Sequence, residues 1–215
     1  MNDILAQIGA MHLVPVVVID KAADAKPLGE ALAAGGLNCM EITFRTAAAV
    51  EAIRTASGLH GMLVGAGTVL NVDNVKRAVD SGAKFIVSPG LNPKVVDYCV
   101  QNRIPVTPGI ATPTEIEMAL DAGLDVVKFF PADALGGCKT LKAIAAPYGM
   151  MKFMPTGGIT QQNLADYLKL PCVLACGGSW MVAKDLIAAH NFAAITELAK
   201  AARDLALSVC GAAAR

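Results

Sequence analysis

Lys128 lies inside an apolar octapeptide, Asp125-Val126-Val127-Lys128-Phe129-Phe130-Pro131-Ala132. Such a run reads as a short parallel strand covered on both faces. Strand residues alternate, so Val126, Lys128 and Phe130 share one face while Val127 and Phe129 share the other. An ammonium costs free energy in apolar surroundings, which favours the neutral amine. A buried neutral amine is the nucleophile that Schiff-base chemistry needs. The octapeptide also allows a lysine near a strand end that reaches out to water or pairs with an acid. Both readings stay open on these residues alone.

The elements that must position Lys128 follow from composition and pattern. The chain has 215 residues, 54% hydrophobic and 17% charged, which suits one sizeable globular core. Net charge is zero and the pI is near 6.8, with no basic stripe, so neither nucleic acid nor an anionic membrane surface is expected as a partner. The mean hydropathy of +0.51 owes much to alanine, and charges interrupt every long apolar window, so no membrane span is expected. Met1-Asn2-Asp3-Ile4 lacks the basic region of a signal peptide. Cys39, Cys99, Cys138, Cys172, Cys176 and Cys210 form no C-x-x-C pair and read as reduced thiols of a cytoplasmic protein. His12, His60 and His190 fit no ligand spacing, so no metal site is expected.

Strand and helix signals alternate throughout. A short helix over Asp3 to His12 precedes strands at Leu13–Ile19, Cys39–Phe44, Met62–Gly67, Phe85–Ser88 and Pro105–Thr107. The Lys128 strand, Lys152–Pro155 and Val173–Cys176 complete the series. Helices are expected from Ala22, Thr46, Asn71 or Val72, Asn92 or Pro93, Thr112 or Pro113, after Gly136-Gly137, and from Thr160, with a long helix at the end. About eight strands at steps of roughly 20–26 residues, each followed by a helix, predict parallel strands in a (β/α)₈ TIM barrel, with a short N-terminal helix, as one domain over residues 1–215. Equal counts past the glycine stops Gly36, Gly82 and Gly123 reach Glu41, Val87 and Lys128. Glu41 and Lys128 then sit at one depth and face each other across the barrel.

Such barrels carry their chemistry at the C-terminal strand ends. Those ends hold Glu41 and Arg45, then Thr68, Ser88-Pro89, Thr107-Pro108, Lys128, Thr156-Gly157-Gly158 and Gly177-Gly178-Ser179. Glycine turns after strands seven and eight suit a phosphate, because their N–H groups can approach its oxygens. Glu41 reads as an ion-pair partner of Lys128 or Arg45, or as a proton carrier linked to the lysine through water. Arg45 reads as a surface arginine or as a bidentate anchor for a carboxylate. Thr68 and Thr156 read as caps, turn residues or substrate contacts.

Six motifs in order resemble one family: Glu41-Ile42-Thr43-Phe44-Arg45-Thr46, Gly65-Ala66-Gly67-Thr68-Val69-Leu70-Asn71, Ser88-Pro89-Gly90-Leu91, Lys128-Phe129-Phe130-Pro131-Ala132, Pro155-Thr156-Gly157-Gly158-Ile159 and Gly177-Gly178-Ser179-Trp180. The chain is similar to the 2-keto-3-deoxy-6-phosphogluconate (KDPG) aldolases, also called 4-hydroxy-2-oxoglutarate aldolases. The resemblance implies a class I, metal-free and cofactor-free carbon–carbon lyase, a homotrimer of the Entner–Doudoroff pathway acting on a 2-keto acid. It implies Lys128 as Schiff-base lysine and Glu41 as general acid and base. Arg45 and Thr68 would hold the pyruvate carboxylate, with Pro89 and Phe130 shaping the pocket. Gly157, Gly158 and Ser179 would take the phosphate, beside Gly177 and Gly178. Phe44 departs from the aliphatic residue expected beside the arginine. Two other readings are a 2-keto-3-deoxy-6-phosphogalactonate aldolase and a phosphate-binding sugar epimerase on the same barrel. Arg45 and the Gly-Gly-Ser-Trp ending favour the gluconate enzyme over the first, and the lack of histidine ligands counts against the second.

Overall fold

Asparagine, proline and glycine punctuate the chain where the alternation expects them. The structure, a computed structural model, describes residues 2–213. Asn2 accepts a hydrogen bond from the Ile4 N–H and starts helix α1 (Asp3–Met11). Strand β1 (Leu13–Val17) follows, then a 3₁₀ turn and α2 (Ala25–Ala34), β2 (Cys39–Thr43), α3 (Ala49–Ser57) and β3 (Leu63–Gly67). Asn71 caps α4 (Val72–Asp80), which leads to β4 (Phe85–Val87). Asn92 and Pro93 open α5 (Pro93–Gln101). Then come β5 (Val106–Thr107), β6 (Gly109–Ile110) and α6 (Pro113–Asp121), which starts with a capping box between Thr112 and Glu115. The chain continues through β7 (Val126–Phe129), α7 (Gly137–Ala145), β8 (Lys152–Pro155), α8 (Leu164–Leu168), β9 (Cys176–Gly178), α9 (Lys184–Ala188) and α10 (Phe192–Ala213).

This is a mixed α/β fold with parallel strands in two sheets. One sheet runs β5-β4-β3-β2-β1-β9 and the other β6-β7-β8. Isolated parallel bridges, Phe153 to Val173 and Thr156 to Gly177, link β8 to the β9 stretch. The fifth strand ends at Thr107 as expected, but a further short strand resumes after Pro108. Pro108 has no N–H to give a ladder, so Val106–Thr107 pairs with β4 and Gly109–Ile110 pairs with β7. The expected eighth strand also shifts, because Val173 makes only a bridge while Cys176–Gly178 pairs with β1.

Alternation along the strands creates two apolar layers. Val14, Cys39, Leu63, Phe85, Val126 and Met154 come from strands of both sheets and pack in one inner cluster. The sheets therefore curl around a shared interior. Val17, Ile42, Ala66, Ile86, Val127 and Phe129 point the other way, into a cluster with helix residues such as Leu28, Leu32 and Ile53. Gly65 makes room inside, since a Cβ there would collide with the Phe85 ring.

Two helix starts differ from the sequence reading. Thr46 donates its hydroxyl to the Ile19 carbonyl at 2.5 Å, and α3 begins only at Ala49. Asn163, not Thr160, occupies the cap position of α8 and instead accepts from the Thr160 N–H at 2.8 Å. The chain closes with the expected long helix, α10 of 22 residues, after a 3₁₀ turn over Trp180–Val182 and the short α9.

Candidate active site

The face of β7 that carries Val126 belongs to the inner cluster, so Lys128 points inward as well. It is 4% exposed, and Glu41 on β2 is 2% exposed. Lys128 Nζ stands 3.7 Å from Glu41 Oε1, which matches the equal depth counted from the glycine stops. That separation is an ion pair without a direct hydrogen bond. Oε1 has no hydrogen-bond partner among the described residues. Gly67, paired to Thr43, makes the space for this carboxylate, because a Cβ there would collide with it. Two residues along the same face, the Phe130 ring has its centroid 4.9 Å from Nζ.

Arg45 follows β2 and Thr68 follows β3, so their side chains meet at one rim. Arg45 Nε donates to Thr68 Oγ1 at 3.2 Å. Thr68 has φ of +55°, a left-handed conformation that is uncommon for a β-branched residue. Such backbone strain costs on the order of 1–3 kcal/mol and gathers at functional sites.

A second stretch of the rim is built from the glycine turns after β8 and at β9. Gly157 and Gly158 have φ of +92° and +80°, conformations that few other residues adopt. Asn163 holds this turn through its Nδ2, which donates to the Gly158 carbonyl at 2.9 Å. Gly177 lies against Thr156, since a Cβ on Gly177 would collide with the threonine hydroxyl. Trp180 Nε1 donates to Gln161 Oε1 at 3.2 Å and ties the β9 turn to the segment after β8.

Within the rim lies a cavity of about 500 Å³. Arg45, Phe130, Thr156, Gly157, Gly158, Gly177, Gly178 and Ser179 all line it, and Lys128 and Glu41 are buried in the interior beside Phe130. Thr68 joins through its bond to Arg45. Pro89 instead lines a neighbouring hollow of about 380 Å³ with Ser88, Leu70 and Leu91. Arg45 and Lys184 are the charged residues of the main lining, and no carboxylate stands among its described residues. Two cations, N–H-rich turns and a hydroxyl are the groups that suit an anion, and a buried amine is the group type that nucleophilic catalysis uses.

Sequence reasoning missed Lys184, Val16 and Val18 in this lining. Strand alternation from Val14 would have found the valines. Nothing local marks Lys184, whose place depends on how the chain turns after Trp180. Cys39 is also turned inward, two residues before Glu41, and burial together with the nearby Glu41 charge pushes its thiol up. Among the described residues no group of three or more His, Cys, Asp or Glu side chains could hold a metal ion. No helix among them is long and apolar enough to cross a membrane.

The sequence model of the family described as KDPG and KHG aldolase matches residues 4–198. The chain is 49% identical to a 2-dehydro-3-deoxy-phosphogluconate aldolase of Treponema pallidum, over 93% of this chain and 96% of that one. It is 45% identical to a KHG/KDPG aldolase of Escherichia coli, over 88% and 90%. Among solved structures, it is similar to a KDPG aldolase of Legionella pneumophila with pyruvate captured as a covalent carbinolamine intermediate. That match has a TM-score of 0.90 and 40% identity, covering 94% of this chain and 98% of the other.

Proposed function

The chain belongs to the KDPG and KHG aldolase family, and from that premise we propose that it is a class I aldolase cleaving 2-keto-3-deoxy-6-phosphogluconate to pyruvate and glyceraldehyde 3-phosphate. The observation that carries this reading is the buried pair of Lys128 and Glu41, 3.7 Å apart, next to a cavity lined by cations and glycine turns. The same site would cleave 4-hydroxy-2-oxoglutarate to pyruvate and glyoxylate.

The steps follow from the groups present. The Lys128 amine adds to the C2 ketone, and loss of water gives a protonated imine. Glu41, through a bridging water, takes the proton of the C4 hydroxyl. The C3–C4 bonding electrons then flow to the iminium nitrogen, releasing the aldehyde and leaving an enamine. Protonation at C3 and hydrolysis free pyruvate and restore the amine. Arg45 and Thr68 hold the carboxylate of the keto acid, and their mutual hydrogen bond supports that role. Phe130 covers the imine and Thr156 lies beside the chain carbons, while Pro89 acts on the pocket from the separate hollow it lines. Gly157, Gly158, Gly177, Gly178 and Ser179 bind the phosphate, a reading supported by their place together in the lining of the cavity that Arg45 also lines. The chemistry needs neither metal nor cofactor, because the iminium is the electron sink.

Closure of the two sheets into one eight-stranded barrel belongs to the same reading. It is supported by the bridges from β8 to the β9 stretch and by the single residue, Pro108, between β5 and β6. One domain over the chain is supported by a core cluster that runs from Leu13 to Ala206. A cytoplasmic homotrimer serving the Entner–Doudoroff pathway is the expectation that comes with family membership.

The test is pyruvate release from the phosphorylated keto acid in a coupled assay, with pyruvate and borohydride used to mark the nucleophile. Cleavage that survives exhaustive chelation, and added mass on Lys128 alone, is the expected result. Mass on another lysine, or activity restored only by a divalent ion, would overturn the mechanism.

A further inference from the structure

We propose that Lys184 is the cation that takes the substrate's phosphoryl group, exchanging its partner Asp20 for the phosphate when substrate binds. The inference rests on the aldolase reading above and adds to it a residue that decides between phosphorylated and unphosphorylated substrates.

The glycine turns and Ser179 offer dipoles to a phosphate but no full charge. A phosphoryl group carries about −1.5 to −2 near neutral pH. Of the two cations in the cavity lining, Arg45 is bonded to Thr68 at the rim after β2 and β3. Lys184 lies five residues after Ser179 in a lining it shares with Gly177, Gly178 and Trp180. A phosphate at the glycine turns therefore shares its lining with Lys184, and hydrogen bonds in which a group is ionised are about twice as strong as neutral ones.

Lys184 is held weakly where it is. Its Nζ lies 2.8 Å from Asp20 Oδ2, but the two side chains are 60% and 54% exposed. An ion pair that wet contributes little, so breaking it costs little. Lys184 also bounds a second hollow of about 90 Å³, lined by Asp20, Lys21 and Asp24. Lys184 is thus shared by the hollow on the Asp20 side and the main cavity. A lysine stem has the rotatable bonds to move its ammonium from one to the other. Asp24 is already engaged by His190 Nε2 at 3.3 Å, which leaves Asp20 as the competing carboxylate.

The experiment measures kcat and KM for 2-keto-3-deoxy-6-phosphogluconate and for 4-hydroxy-2-oxoglutarate in Lys184→Met, Lys184→Arg and Asp20→Asn. Inorganic phosphate serves as a competitive inhibitor in each. Lys184→Met should raise KM for the phosphorylated substrate and Ki for phosphate by about 10- to 100-fold, the loss expected for one charged contact. The selectivity between the two substrates should fall by a similar factor. Lys184→Arg should restore most of the loss. Asp20→Asn should lower the phosphate Ki or leave it unchanged, because it removes the competitor. An unchanged phosphate Ki in Lys184→Met would overturn the inference, as would a rise in Asp20→Asn equal to that in Lys184→Met, which would make the pair structural. Should the unaltered protein cleave neither substrate, the aldolase reading itself fails. Retained exchange of pyruvate methyl protons reports that a variant is folded.

Discussion

Glu41 Oε1 stands 3.7 Å from Lys128 Nζ, and no described residue gives that oxygen a hydrogen bond. The carboxylate is close enough for charge to act on the lysine yet remains unsatisfied, and a buried acceptor left unsatisfied costs free energy. An oxygen kept in that condition is available to a water or to a substrate proton. Glu41→Gln keeps the shape and removes the base. Its kcat should fall by about 10²- to 10⁴-fold. Exchange of pyruvate methyl protons with deuterated water, followed by NMR, should fall with it. Exchange at the unaltered rate would remove Glu41 as the base, whereas a plain ion pair would leave the freed lysine more reactive.

Arg45 and Thr68 present a hydrogen-bonded pair to the cavity rim, with Thr68 in a left-handed conformation. The guanidinium can hold a carboxylate with two parallel bonds, which an ammonium cannot. Arg45→Lys should therefore raise KM for pyruvate in the exchange assay by about 10-fold or more, the cost of one lost charged hydrogen bond. Maximal exchange should change less, because Lys128 and Glu41 are untouched. A drop in maximal exchange at constant KM would place Arg45 in the proton-transfer steps instead.

The parts of this site that were legible in the sequence are those fixed by local rules. Period-two alternation set the face of Lys128, and equal counts from the glycine stops placed Glu41 at the same depth. Asn71 and Asn92 were legible as caps, since each is followed at once by a helical pattern. Thr46 and Thr160 were misleading for a physical reason. A tertiary contact draws the Thr46 hydroxyl to the Ile19 carbonyl, and a local one gives the Thr160 N–H to Asn163 Oδ1, leaving Asn163 at the α8 cap position. Pro108 signalled a break in strand five, but which sheet each half would join depends on neighbours distant in sequence. Lys184 was invisible because only the turn after Trp180 brings it beside Gly177 and Gly178.

Gly67 offers a test of geometry that leaves every polar group in place. A methyl at this position would point into the Glu41 carboxylate, and the β2–β3 ladder fixes the backbone on both sides. Overpacking of this kind typically costs about 1–3 kcal/mol. Gly67→Ala should fold with a lowered Tm and exchange pyruvate protons much more slowly, while borohydride still traps the imine on Lys128. Thermal melts and the exchange assay on one preparation check both halves. A variant with unaltered exchange would show that the carboxylate has room to move without consequence.

The buried thiols make stability depend on alkaline pH. Burial pushes Cys99 from an ordinary 9.0 up to about 12, and burial also raises Cys39 and Cys176. Below about pH 9 both folded and unfolded chains keep these protons, so the thiols add no pH dependence there. Between that point and about 12 the unfolded chain has lost the Cys99 proton while the folded chain retains it. The unfolded state then binds fewer protons, and stability must fall as pH rises, by up to about 1.4 kcal/mol per pH unit for each such thiol. Urea unfolding at pH 8.5, 9.5 and 10.5 should show a declining free energy. Cys99→Val, similar in volume and without a proton to lose, should make the decline shallower. The same burial should leave Cys39, Cys99 and Cys176 unmodified by iodoacetamide at pH 8 in the folded protein, while urea exposes all three. Rapid labelling of Cys99 in the folded state, or a Cys99→Val decline as steep as that of the unaltered protein, would show that burial does not hold its proton.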